Sequence, residues 1–170
     1  LVARGIHDQV RRSDRDRNDP AGRLRACTKK TQEAEDFMDG ESFGGGRQKN
    51  VLGGALIPCS VSPMTGFFRD GCCHTGPEDM GSHTVCAVMT DDFLHFSKAA
   101  GNDLMTARPE YNFPGLKPGD SWCLCAARWE QARRAGAAPK VLLAATNEAC
   151  LSVVSLADLR AHALETDRYG

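Results

Sequence analysis

Apolar positions are distributed unevenly along this chain of 170 residues. Through residues 1–49, charges of both signs alternate, as in Arg11-Arg12-Ser13-Asp14-Arg15-Asp16-Arg17, and no apolar face recurs at a helical or strand period. Eleven Lys/Arg stand against nine Asp/Glu there, and Gly44-Gly45-Gly46 supplies a flexible joint. Such a segment cannot offset its ordering entropy by burial, so it reads as a disordered extension. Its balanced charges argue against a basic arm.

From Asn50 the chain turns apolar and punctuated. Residues 51–57 form a short entry closed by Pro58, a turn lies between Pro63 and Gly66, and Phe67-Phe68 is expected to anchor the core. Gly71, Gly76, Pro77 and Gly81 forbid regular structure across 71–82. A buried strand is expected over 84–89. Thr90 then caps a helix carrying Asp91 and Asp92 in its first turn, with Phe93, Leu94, Phe96 and Ala100 at helical spacing and Gly101 as its stop. The proline-punctuated passage 102–120 is long enough to be functional and is expected to wall a pocket. A strand over 121–127, a helix over 128–135 and a strand over 141–144 follow. Asn147 caps a short helix, and Ser155 with Asp158 opens a last one over Leu156, Leu159, Ala163 and Leu164. The expectation is an α+β fold: one small two-layer domain over 50–165, a mixed sheet with a few helices, and a tail over 166–170.

Composition adds limits. Hydrophobic content of 41% and charged content of 25% suit an ordinary globular core. Aromatics are only 6%, and the mean hydropathy of -0.39 fits a chain that is only partly core. A net charge of -1 gives no reason to expect nucleic acid or an anionic membrane as partner. No apolar run approaches the roughly 20 residues that cross a bilayer. Residues 1–10 lack the apolar stretch of a secretory signal, so a cytoplasmic location is expected. Eight cysteines then read as thiols, metal ligands or redox groups rather than a disulfide framework.

Five strings carry a family resemblance: Thr65-Gly66-Phe67-Phe68-Arg69-Asp70-Gly71-Cys72-Cys73, Gly81-Ser82-His83-Thr84-Val85-Cys86-Ala87, Gly101-Asn102-Asp103-Leu104, Phe113-Pro114-Gly115-Leu116-Lys117-Pro118-Gly119-Asp120 and Trp122-Cys123-Leu124-Cys125-Ala126-Ala127-Arg128-Trp129. In this order they resemble a family of small bacterial and lower-eukaryotic proteins known as a domain of unknown function. The resemblance covers roughly residues 50–165. It implies a compact two-layer α+β domain and no particular reaction. The position of His74 is often Asn or another polar residue in similar sequences, which argues against an obligatory catalytic role for it.

The candidate chemistry centres on 71–86 and on the Cys123/Cys125 pair. Alternate residues of a strand share a face, so Cys123 and Cys125 could ligate one ion together with His83 and Cys86, giving a possible zinc site. Cys72 and Cys73 are candidate redox or nucleophilic thiols, with Arg69, His74 and His83 as nearby cationic groups. Asp70, Glu78, Asp79 and His83 could supply an acid/base pair, and Arg69 and Arg128 could bind a carboxylate or phosphate. Trp122, Trp129, Phe113 and Leu116 could instead line an apolar groove or fill the core. The expected function is a thiol- or metal-dependent small-molecule enzyme. Its pocket would bring Cys72, Cys73, His83, Cys86, Cys123 and Cys125 together, with Asp70 and Arg69 assisting. The alternative is a non-enzymatic module that binds a peptide or small molecule.

Overall fold

A computed structural model describes Cys27 and residues 47–164. The extension expected over 1–49 therefore lies outside the described residues, apart from Cys27 and residues 47–49. The packed part already includes Gln48, whose side chain bonds the backbone of Thr75 and the amide of Asn147.

The centre is a three-stranded sheet in the order β2-β1-β3. Its strands are β1, His83–Val88, β2, Ser121–Cys125, and β3, Lys140–Val141. β1 pairs antiparallel with both neighbours, and a parallel bridge joins Val141 to Ala163. Thr84, Val85, Cys86 and Ala87 are all buried, as a central strand covered on both faces requires. Helix α1, Asp91–Ala99, begins where Thr90 Oγ1 accepts from the Phe93 amide. Helix α2, Ala126–Arg134, buries Ala126, Trp129 and Ala132 at a spacing of three. Helix α3, Leu156–Ala161, starts at the expected Ser155 cap. Short 3-10 turns occupy Pro109–Tyr111, Leu143–Ala145 and Glu148–Ser152. The fold is α+β.

Helix α2 starts without a linker after β2, so the strand expected to run to Ala127 stops at Cys125. Three small or flexible residues after it (Ala126, Ala127, Arg128) favour helix as soon as the sheet edge is passed. The third strand is shorter than expected because the chain turns after Val141 into the 3-10 turn over Leu143–Ala145. Phe67 and Phe68 are 36% and 40% exposed and do not anchor the core. Trp129 does. Its ring is fully buried and its Nε1–H donates to the Pro139 carbonyl at 3.1 Å.

Three disulfides staple this small domain: Cys27–Cys72, Cys59–Cys86 and Cys73–Cys123. The expectation of reduced thiols is thereby corrected, because partners far apart in sequence meet beside the sheet. They close loops of 45, 27 and 50 residues. Constraining the unfolded chain by loops of that size contributes about 3.5–4 kcal/mol each in the chain-entropy view. The small sheet thus has covalent support for the loops around it.

Candidate active site

Only Cys125 and Cys150 remain free thiols. Cys150 is buried, and desolvation pushes its thiol up to about 12, which makes it inert. Cys125 is half-buried and stands at the junction of β2 and α2, as the N-cap residue of the helix. Its side chain makes no capping hydrogen bond to the first-turn amides. Those N–H groups and the helix dipole are oriented toward the end of the chain element that carries the sulfur.

His83, at the start of β1, pairs across the ladder with Cys125. A register shift between His83 and Val85 bends the strand there. His83 Nε2 lies 3.3 Å from Cys125 Sγ. On its other side, Nδ1–H donates to Asp79 Oδ1 at 2.6 Å. The Asp79 side chain is fully buried, and its Oδ2 accepts from the His83 amide at 2.8 Å and from Thr75 Oγ1 at 3.0 Å. The carboxylate is thus fixed on three sides and sets both the tautomer and the tilt of the imidazole. The hydrogen bond with Cys125 raises His83 to about 9; burial opposes this and Asp79 reinforces it. Phe67 stacks on the imidazole with ring centroids 5.9 Å apart.

Gly81 leaves the space the sulfur needs. A Cβ there would fall 2.8 Å from His83 Cε1 and 3.0 Å from Cys125 Sγ, so no larger residue fits without moving the pair. A cavity of about 450 Å³ opens beside His83. Segment 102–120 contributes Asp103, Leu104, Arg108, Tyr111 and Phe113 to its wall, the role expected of that long loop.

The expected six-residue convergence splits in three, with Cys72 apart beside Cys27 and Leu56. Cys125 and His83 meet. Cys73, Cys86 and Cys123 lie together in the core with Ala145, where Cys73 is bonded to Cys123 and Cys86 to Cys59. In this oxidised form Cys86 and Cys123 have no thiolate to share with Cys125 and His83, so that set does not fit zinc. Cys72 is bonded to Cys27 and has no thiol to act as nucleophile; the same holds for Cys73. Asp70 turns to His74 rather than His83, at 2.7 Å. Burial pushes the Asp70 carboxyl up, but bonds from His74 and the Cys72 amide outweigh it and hold the carboxyl low. His74, 1% exposed, is a structural partner here. Arg69 lines the cavity, whereas Arg128 bonds the Ala100 carbonyl and Gln131. Among the described residues, two sets of side chains are close enough for a metal, Cys59 with Cys73 and Cys86, and Asp70 with Cys72 and His74; cysteines of both sets are in disulfides.

Sequence reasoning set Asp79 beside His83 as an acid/base pair and Cys125 beside His83 as metal ligands, but did not join the three. Two signals pointed to the relay. The i, i+4 spacing of Asp79 and His83 brackets a turn that a glycine at 81 can close. The Cys125-Ala126-Ala127-Arg128 string marks a strand passing straight into a helix, which puts a thiol at a helix N-terminus.

The site is thus a thiol, an imidazole and a buried carboxylate in hydrogen-bonded sequence on a cystine-stapled α+β domain. The chain belongs to the family described as an uncharacterized protein conserved in bacteria, DUF2237, whose profile matches residues 49–163. A search of curated proteins gave no match. None of the helices among the described residues is long and apolar enough to cross a membrane.

Proposed function

We propose that this protein is a thiol-dependent small-molecule enzyme that transfers acyl groups through Cys125, with His83 as proton carrier and Asp79 as its orienting partner. The observation that carries the reading is the continuous Cys125–His83–Asp79 hydrogen-bonded chain at the N-terminus of α2. The Cys125 thiolate attacks the acyl carbonyl carbon, and the bond to the leaving group breaks as the His83 imidazolium gives it a proton. A thioester is left on Cys125. Neutral His83 then takes a proton from water or another acceptor, whose oxygen attacks the thioester and restores the thiolate and imidazolium. First-turn amides of α2 other than that of Ala126, which donates to the Ser82 carbonyl, are the proposed donors to the developing oxyanion.

The test is acylation by p-nitrophenyl acetate followed by intact-mass analysis. One acetyl group on the native protein, absent from Cys125→Ser and nearly absent from His83→Gln, supports the reading. Acetylation that is unchanged in Cys125→Ser overturns it.

A second reading rests on the packing of sulfurs: those of Cys59, Cys73 and Cys86 lie within 4.8 Å of one another, and Cys123 is bonded to Cys73. A dithiol reductant would supply two electrons and two protons to each disulfide and be oxidised itself. The four resulting thiols could hold zinc, releasing their protons. Cobalt(II) titration of the reduced protein tests this; tetrathiolate absorption bands support it, and their absence refutes it. The compartment follows the same chemistry: the three disulfides favour an oxidising compartment over the expected cytoplasm.

A further inference from the structure

We propose that the cavity beside His83 is a binding site for small organic anions, in which Arg69 and Arg108 hold a carboxylate and aromatic walls hold an apolar body. The proposal names the substrate class of the proposed acyl-transfer centre and so rests on that reading for its catalytic meaning, though not for binding.

The walls are aromatic where they are buried. Phe113 and Trp122 pack edge to face at 5.2 Å and are 8% and 6% exposed, and Phe67 closes the side next to His83. A volume of about 450 Å³ lies within the usual range for small-molecule sites. The charge is cationic where the cavity is open. The Arg69 guanidinium lies over the Trp122 ring at 5.0 Å, and its Nη1 donates to the Gly66 carbonyl at 2.9 Å. This anchoring fixes the planar group and leaves donors for a ligand. Arg108 enters the wall from segment 102–120.

Among the described residues, neither arginine is ion-paired. Asp103 is the carboxylate in the wall, but its oxygens accept from the Met105 and Thr106 amides and from Thr106 Oγ1. It is committed to its own turn and does not span to either guanidinium. Any charge on His83 is matched by Asp79. Two arginines against one self-satisfied carboxylate leave the cavity short of negative charge. A carboxylate bound between guanidinium groups supplies it.

His83 connects the two sites, since its ring forms part of the cavity wall while its Nε2 faces the sulfur. An acyl compound with its anionic end at the arginines and its apolar body along Phe113 and Trp122 would present its carbonyl toward that end.

The experiment titrates the Cys125→Ser protein with phenylacetate, the neutral isostere phenylacetamide and inorganic phosphate, reading tryptophan fluorescence. Trp122 reports on the cavity, and Trp129, fully buried, gives a constant background. Saturable quenching by phenylacetate, at least about tenfold tighter than phenylacetamide, is expected. Arg69→Gln and Arg108→Gln should each remove most of that preference. Arg108, on the exposed rim, is the variant that decides if Arg69→Gln does not fold. Equal binding of acid and amide overturns the proposal, as does the lack of saturable binding by either. Phosphate binding as tightly as phenylacetate also overturns it, because the aromatic walls would then contribute nothing. An acid-selective cavity beside a Cys125 that does not acylate overturns the acyl-transfer reading alone. An acylating Cys125 beside an unselective cavity overturns this one alone.

Discussion

The relay predicts a cysteine that stays reactive in mild acid. The perturbation is His83→Gln, which removes the group 3.3 Å from Cys125 Sγ while keeping a polar side chain of similar reach. An ordinary thiol near pH 6 is only about 0.3% thiolate, so full transfer of its proton to an imidazole raises the nucleophile by at most about 300-fold. Lower basicity also weakens each thiolate as a nucleophile, which takes back part of that gain and leaves about tenfold or more. Iodoacetamide alkylation with intact-mass detection measures this directly. Cys150 does not interfere, because burial pushes its thiol up to about 12, and the other six cysteines are in disulfides. The native protein should exceed His83→Gln by about tenfold or more near pH 6, and the two should converge as ordinary thiols ionise near pH 9. Asp79→Asn should fall between them, because the imidazole keeps a hydrogen-bond acceptor but loses its charged partner. Native and His83→Gln alkylating alike near pH 6, at the rate of a free cysteine, would refute the reasoning.

Three further outcomes follow from the same geometry. Gly81→Ala should abolish fast alkylation of Cys125 with little loss of secondary structure, since its Cβ would fall 3.0 Å from the sulfur; circular dichroism with alkylation kinetics checks both halves. Raising His83 from 6.5 to about 9 makes its charged form stabilising. That contribution is complete below pH 6.5 and lost as pH rises through about 9. The thermal-midpoint gap between native protein and His83→Gln should therefore shrink across that window, by the equivalent of about 1 kcal/mol once solvent screening of a partly exposed ring is counted. A thiol titration in denaturant should find two free thiols out of eight cysteines, and all eight after reduction.

Much of the fold was legible because its signals are local. The Thr90 cap, the acidic first turn after it and the Ser155–Asp158 box all act within one turn of helix, and each appears where expected. The site was legible only in pieces. Cys123 and Cys125 do share strand β2, but the register shift opposite them, between His83 and Val85, and the helix start at Ala126 give them different partners. Only Leu124 separates these two cysteines in sequence, yet one is bonded to Cys73 and the other meets His83. Pairing of cysteines over 27 to 50 residues is set by the tertiary path of the loops, which no local pattern encodes. Phe67 was misread for a related reason. A large apolar residue usually fills a core, but here it covers an imidazole and a cavity wall.

The disulfides and the relay are parts of one arrangement. Asp79 and His83 reach the site at the end of a loop rich in turns, which by itself would sample many conformations. Cys73–Cys123 ties the start of that loop to β2, two residues before Cys125. Cys59–Cys86 ties the preceding segment to β1, three residues after His83. The two strands carrying His83 and Cys125 are thus each pinned close to their reacting residues, and the loop between has only its Asp79 turn left to place. Bonds to Asp79 from the Thr75 hydroxyl and the His83 amide place that turn. A thiol–imidazole contact of 3.3 Å tolerates little displacement. Covalent staples a few residues away therefore do for this small sheet what a larger core does elsewhere: they hold the thiol and imidazole in register.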